Sequence, residues 1–243
     1  MLKINNASSF RRSIAGLCLI LGPVLIGVGG QVQPGPDVEG PLYLDAVAAS
    51  PGMAEMSVLL NYLGFLVFAV GVIGAIHIVR GKGVVLAHIG GLLAVAGLIS
   101  LTALSVTSLY DIAIAQNAPR EIGVPIYNAP ESYTTAIVLL ALALFGTAIG
   151  LVILSAALWR AGFMPVWLWP LVLVAFVLIF AEPVGFQISS LIASLLLIGV
   201  FGFAGVKLIR MSDREWERGV IPKAKGSDDD DHNSDDDEDA GSE

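Results

Sequence analysis

Six long apolar runs, at about 13–30, 56–79, 84–106, 134–158, 165–181 and 184–209, constrain this chain more than any other feature. Roughly 20 mostly apolar residues are needed to cross the hydrocarbon core as a helix. In lipid the backbone has no water to bond, so a spanning segment must satisfy its own amides, and among open chains only the helix does so. The pattern predicts an all-α polytopic membrane bundle of six transmembrane helices. Pro23, Pro170 and Pro183 fall in or beside the runs, where neighbouring helices re-satisfy the carbonyls they free. The fifth run is the shortest.

Composition agrees. Of 243 residues 56% are hydrophobic and 14% charged, against about 25% charged in soluble proteins. Neither an ordinary soluble enzyme nor a disordered protein fits. The net charge of -8 misleads, because ten of the 21 acidic residues, and no Lys or Arg, follow Gly226. The single cysteine, Cys18, excludes an intramolecular disulfide and reads as a small buried hydrophobe.

Lys and Arg set the orientation of a membrane protein. With six spans, Lys3, Arg11, Arg12, Arg80, Lys82, Arg160, Lys207, Arg210, Arg214, Arg218, Lys223 and Lys225 share one side, and only Arg120 falls on the other. That other side holds Asp37, Glu39, Asp45, Glu55, Asp111, Glu121, Glu131 and Glu182. Both termini are expected in the cytoplasm and the protein in the cell membrane. The first run exceeds the usual signal-peptide core of about 7–15 residues, so a retained helix is expected. The chain divides into a cytoplasmic N-terminus 1–12, a membrane domain 13–210 with outer loops 31–55 and 107–133, a mixed-charge segment 211–226 and an acidic tail 227–243.

The outer loops contain Pro34, Pro36, Pro41, Pro51, Pro119, Pro125 and Pro130, which restrict the unfolded chain and favour shaped loops. Residues 42–49 and 109–116 are amphipathic and predict short surface helices. Tyr43, Tyr110, Tyr127 and Tyr133 suit the headgroup layer. An offset of 79 aligns Val70-Gly71 with Ile149-Gly150, a faint sign of a duplicated hairpin. Gly146 and Gly150 form a G-x-x-x-G, and Gly199, Gly202 and Gly205 a second small-residue series. Both predict close helix packing, within the chain first and between copies second. Ser100, Thr102, Ser105, Thr147 and Ser155 are expected to bond the backbone one turn earlier.

Few residues offer chemistry. Glu182, before Pro183, is the best intramembrane candidate; buried, it would hold its proton and serve a small-solute or proton-linked transporter, whereas at the headgroup layer it is a turn carboxylate. His77 and His88 flank the turn at 80–83, where a hairpin places two imidazoles within reach of haem or a metal, or simply of interfacial water. Asn61 and Gln187 read as interhelical hydrogen-bond partners. No metalloprotease, phosphate-loop, serine-hydrolase or paired-cysteine motif occurs. The expectation is a non-enzymatic membrane protein without cofactor, metal or nucleic acid.

Beyond the last span, 211–219 suggests a short helix that Trp216 anchors to the membrane surface. The tail is a like-charge block that stays unfolded and is a candidate docking segment for a cytoplasmic partner; it lacks the EF-hand pattern. Residues 158–167, Leu-Trp-Arg-Ala-Gly-Phe-Met-Pro-Val-Trp, resemble a junction found in six-helix bacterial integral membrane families of unknown function. That resemblance implies the hairpin layout and no activity.

Overall fold

The computed structural model describes residues 7–35, 40–181 and 188–219, and these are helical almost throughout, with no strand among them. In chain order the helices are α1 (Ala7–Val32), α2 (Pro41–Ala49), α3 (Pro51–Ile78), α4 (Val84–Asn117), α5 (Arg120–Asn128), α6 (Thr134–Arg160), α7 (Leu168–Ala181), α8 (Ser189–Arg210) and α9 (Asp213–Arg218). Five of them, α1, α3, α4, α6 and α8, are long and apolar enough to cross a membrane. Helix α7 is as apolar but has 14 residues, about 21 Å of rise against a hydrocarbon core of about 30 Å.

The six apolar helices close into a ring in the order α1, α3, α4, α6, α7, α8 and back to α1. The first helix is thus a wedge between the third and the last. Glycines let the backbones touch where the ring needs it. A methyl at Gly71 would lie 2.7 Å from Leu19 N of α1, and one at Gly150 would lie 2.7 Å from Ala94 Cα and Gly90 O of α4. The two positions aligned by the offset of 79 are therefore both crossing points. Between lipid-embedded helices such approach is a main source of cohesion. Leu19, Phe68, Leu98, Leu151, Val172 and Phe201 fill the core, with Phe68 and Phe201 edge to face at 4.9 Å between centroids.

The two glycine series part company. Gly146 and Gly150 pack on α4, and Gly205 packs on Gly16 of α1. Gly199 and Gly202 have no described neighbour within 4 Å of where a methyl would stand. Packing within the chain accounts for Gly146, Gly150 and Gly205 alone.

Local signals explain the element ends. Gly81 and Gly83 take positive φ and turn α3 into α4. Helix α6 ends on Gly162 at φ 78°, with Gly162 N donating to Trp159 O at 2.8 Å and Phe163 N to Leu158 O at 2.9 Å. That is a Schellman cap, and Lys207 of α8 donates to the Phe163 carbonyl at 2.6 Å. The junction 158–167 owes its pattern to this cap and to Pro165 after it.

Several expectations need correction. Residues 109–116 are not a separate surface helix: α4 runs on to Asn117, because no Gly or Pro interrupts it between Gly97 and Pro119. At roughly 51 Å it outruns the hydrocarbon core, and much of the expected outer loop 107–133 is helix. Ser100, Thr102, Ser105 and Ser155 do bond carbonyls of the preceding turn. Thr147 does not; its buried hydroxyl has no partner among the described residues. A π-helical turn, Leu142–Gly146, lies immediately before it and displaces the carbonyl an α-helix would have offered. Trp216 is not a surface anchor. It is 5% exposed, and α9 folds back onto α1 and α3.

Candidate functional site

The core does not fill the ring evenly. Toward the end carrying α2 and α5 the centre opens into a cavity of about 360 Å³, within the usual range for small-molecule sites. Helices α1, α3, α4, α7 and α8 all contribute to its wall, so five of the six ring helices converge on it. Phe65, one turn from the Phe68 contact, Leu101 and Ile179 supply apolar surface.

Its polar groups are built from the sequence of α3 upward. Ser57 and Asn61 stand one turn apart on α3. Ser57 Oγ donates to Gly29 O of α1 at 2.8 Å, and Asn61 Nδ2 donates to Ser57 Oγ at 3.3 Å. Gly29 lets the Asn61 amide approach closely: a methyl on it would lie 2.9 Å from Asn61 Oδ1, so the amide would have to shift. Asn61 thus links to the neighbouring helix through Ser57 rather than directly. An amide has two donors and a carbonyl acceptor, so it retains hydrogen-bonding capacity toward the cavity. Ser105 keeps its acceptor lone pairs after donating to Leu101 O. Ser108, Ser190 and Ser194 also line the cavity, and none of their hydroxyls bonds another described residue. Among the described residues, no Asp, Glu, Lys, Arg or His lines it.

Helix α2 covers the mouth. Val47 is buried against Ala54 and Ile112, and Tyr43 reaches the cavity while its ring lies 5.9 Å from that of Tyr127. Burial first, then the negative field of Asp111 and the Tyr127 phenol, pushes the Tyr43 hydroxyl up to about 12. It stays a neutral donor at any physiological pH. Arg120 holds both Asp45 oxygens, at 2.7 and 2.6 Å, but the pair is exposed and stabilises the lid by no more than about 1 kcal/mol.

The opposite end is organised differently. Ser212 caps α9 reciprocally with Glu215: Glu215 N donates to Ser212 Oγ at 3.2 Å and Ser212 N to Glu215 Oε2 at 2.8 Å. Arg12 lies 3.3 Å from Asp213, and Ser8 Oγ donates to Glu217 Oε1. The His77 and Trp216 rings meet tilted at 42°, with centroids 4.9 Å apart. His88 instead offers its Nδ1 to Val84 O at 2.8 Å, and no ring contact or hydrogen bond joins the two histidines among the described residues. Nor do the described residues contain a group of three or more His, Cys, Asp or Glu able to hold a metal. Glu182, Gln187 and the tail 227–243 lie outside the described residues.

Sequence reasoning placed Asn61 and Ser105 in helices but missed the cavity, since nothing in a run of serines tells which helices they will face. No family model, curated protein or solved structure matches the chain.

Proposed function

We propose that this is a six-span, non-enzymatic protein of the cell membrane, with both termini cytoplasmic and a cavity on the outer side that receives a small neutral polar molecule. Helix α7 occupies a full place in the ring although it is short, which supports counting it as a span. Sidedness supports the orientation. Arg120, the one basic residue on the outer side, is matched by Asp45. The acidic tail is then left in the cytoplasm to dock a partner.

The observation that carries the ligand reading is the polar wall, uncharged among the described residues. An ion-binding or proton-relaying site inside a membrane needs charged or carbonyl-rich surroundings. This wall offers hydroxyls, the side-chain amides of Gln33 and Asn61 and a phenol beside apolar surface, which suits a compact polyol or amide. The volume would otherwise hold about a dozen waters.

Thermal unfolding of the purified chain against a panel of neutral polyols and amides, with charged amino acids as controls, tests the site. A fitting compound at a hundredfold excess over its Kd stabilises by about 2.7 kcal/mol. Ser190→Leu, which fills the cavity, is expected to remove that gain. Stabilisation by no neutral compound, or an undiminished gain in Ser190→Leu, would overturn the ligand reading.

Orientation has its own test. With Cys18→Ser as background, Glu121→Cys is expected to react with a membrane-impermeant thiol reagent on intact cells, and Arg214→Cys only after lysis. Labelling of Arg214→Cys on intact cells would reverse the topology.

A further inference from the structure

A groove at the α9 end of the bundle, separate from the cavity, combines apolar walls with basic residues at one end. Phe10, Ile14 and Ala15 of α1 and Val70, Ile73 and Gly74 of α3 form the walls of this space of about 320 Å³, and Arg11, His77 and Trp216 complete its lining. Phe10, Val70 and Ile73 are all about half exposed on the outside of the ring, where a bilayer would meet them. From Val70 to His77 the groove descends about 10 Å along α3.

Charge is concentrated at its His77 end. The guanidinium groups of Arg11 and Arg80 both act on His77 electrostatically. Arg12 is engaged by Asp213, whereas neither Arg11 nor Arg80 has an ion pair among the described residues. Trp216 stands at the same level, its indole in tilted contact with the His77 ring. An acyl-sized apolar slot that ends in guanidinium groups with no ion pair among the described residues, beside an indole, is complementary to one kind of molecule in this protein's surroundings.

We infer that the α1–α3 groove binds an anionic phospholipid, its acyl chain between Phe10, Ile14, Val70 and Ile73 and its phosphate at Arg11, with Arg80 adding positive field. A guanidinium near an anionic lipid surface contributes about fivefold in affinity. On the topology proposed above this lipid belongs to the cytoplasmic leaflet, but the site stands on its own geometry and does not depend on the cavity.

Native mass spectrometry of the full chain in detergent, titrated with phosphatidylglycerol and with phosphatidylcholine of identical chains, reads this directly. The expected result is preferential retention of phosphatidylglycerol, reduced about fivefold by Arg11→Gln and unchanged by Lys82→Gln, a basic residue outside the groove. Ile73→Trp, which obstructs the slot without touching charge, is expected to lower retention of both lipids. Equal retention of the two lipids would overturn the proposal. So would equal losses from Arg11→Gln and Lys82→Gln, which would mark a diffuse surface attraction, or full displacement by glycerol 3-phosphate, which would leave the apolar slot without a role.

Discussion

Gly150→Leu is expected to abolish the folded bundle, while Gly199→Leu leaves it intact. Both glycines sit in apolar helices and both belong to small-residue series. They differ in what stands opposite. Beside Gly150 a new side chain meets the backbone of α4, Ala94 Cα and Gly90 O each at 2.7 Å. Backbone cannot turn aside as a side chain can, so α4 and α6 must separate along the crossing. Overpacking ordinarily costs about 1–3 kcal/mol; losing a helix crossing costs more, against a total stability of about 5–15 kcal/mol. Beside Gly199 there is open space. The measurement is the fraction of each variant that elutes as a single species in mild detergent, with its melting temperature. Gly150→Leu should yield almost none, and Gly199→Leu should match the parent. A shift of Gly199→Leu to smaller apparent size would instead show that copies pair through the face of Gly199 and Gly202.

Trp216→Ala is expected to release α9 from the bundle. Truncating a buried Trp costs about 3–5 kcal/mol, and a six-residue helix has no stability of its own to offset that. What remains is the Arg12–Asp213 pair, the Ser8–Glu217 bond and the Ser212 cap. Trypsin cleavage at Arg214 and Arg218 should accelerate on the order of a hundredfold, with Trp216→Phe close to the parent. An unchanged rate would mean that the polar contacts alone hold α9. Acid acts in the same direction. The backbone N–H of Ser212 first, then its hydroxyl, and the Arg12 charge hold the exposed Glu215 carboxyl below its ordinary value. A lowered carboxylate favours the capped helix above the usual carboxylate range and ceases to do so as pH falls through the lowered value. Acidification to that range should therefore loosen α9 further.

Much of the fold was legible because the bilayer leaves little choice. Any run near 20 apolar residues becomes a helix, and the helices at Ala7–Val32, Pro51–Ile78, Thr134–Arg160 and Ser189–Arg210 lie where the apolar runs do. The error at 107–117 has a physical cause. Asp111 and Tyr110 end the apolar run, but polarity ends a span, not a helix, and α4 continues until Ala118 before Pro119. The misreading of Trp216 has another. A Trp beside charges at a span end suits the headgroup layer, and only the fold shows the gap beside Gly74 and Ala15 that receives it.

The sequence by itself determined the helical class and the membrane as solvent, because hydrophobic length is a property of the chain read locally. Only the tertiary structure decided which apolar face meets protein and which meets lipid. These helices are apolar all round, so periodicity carries no signal. That is why Gly150 and Gly199 look alike in sequence and differ in consequence, why Asn61 and five serines turned out to share one cavity, and why Arg11 and His77 came to stand at the end of one groove.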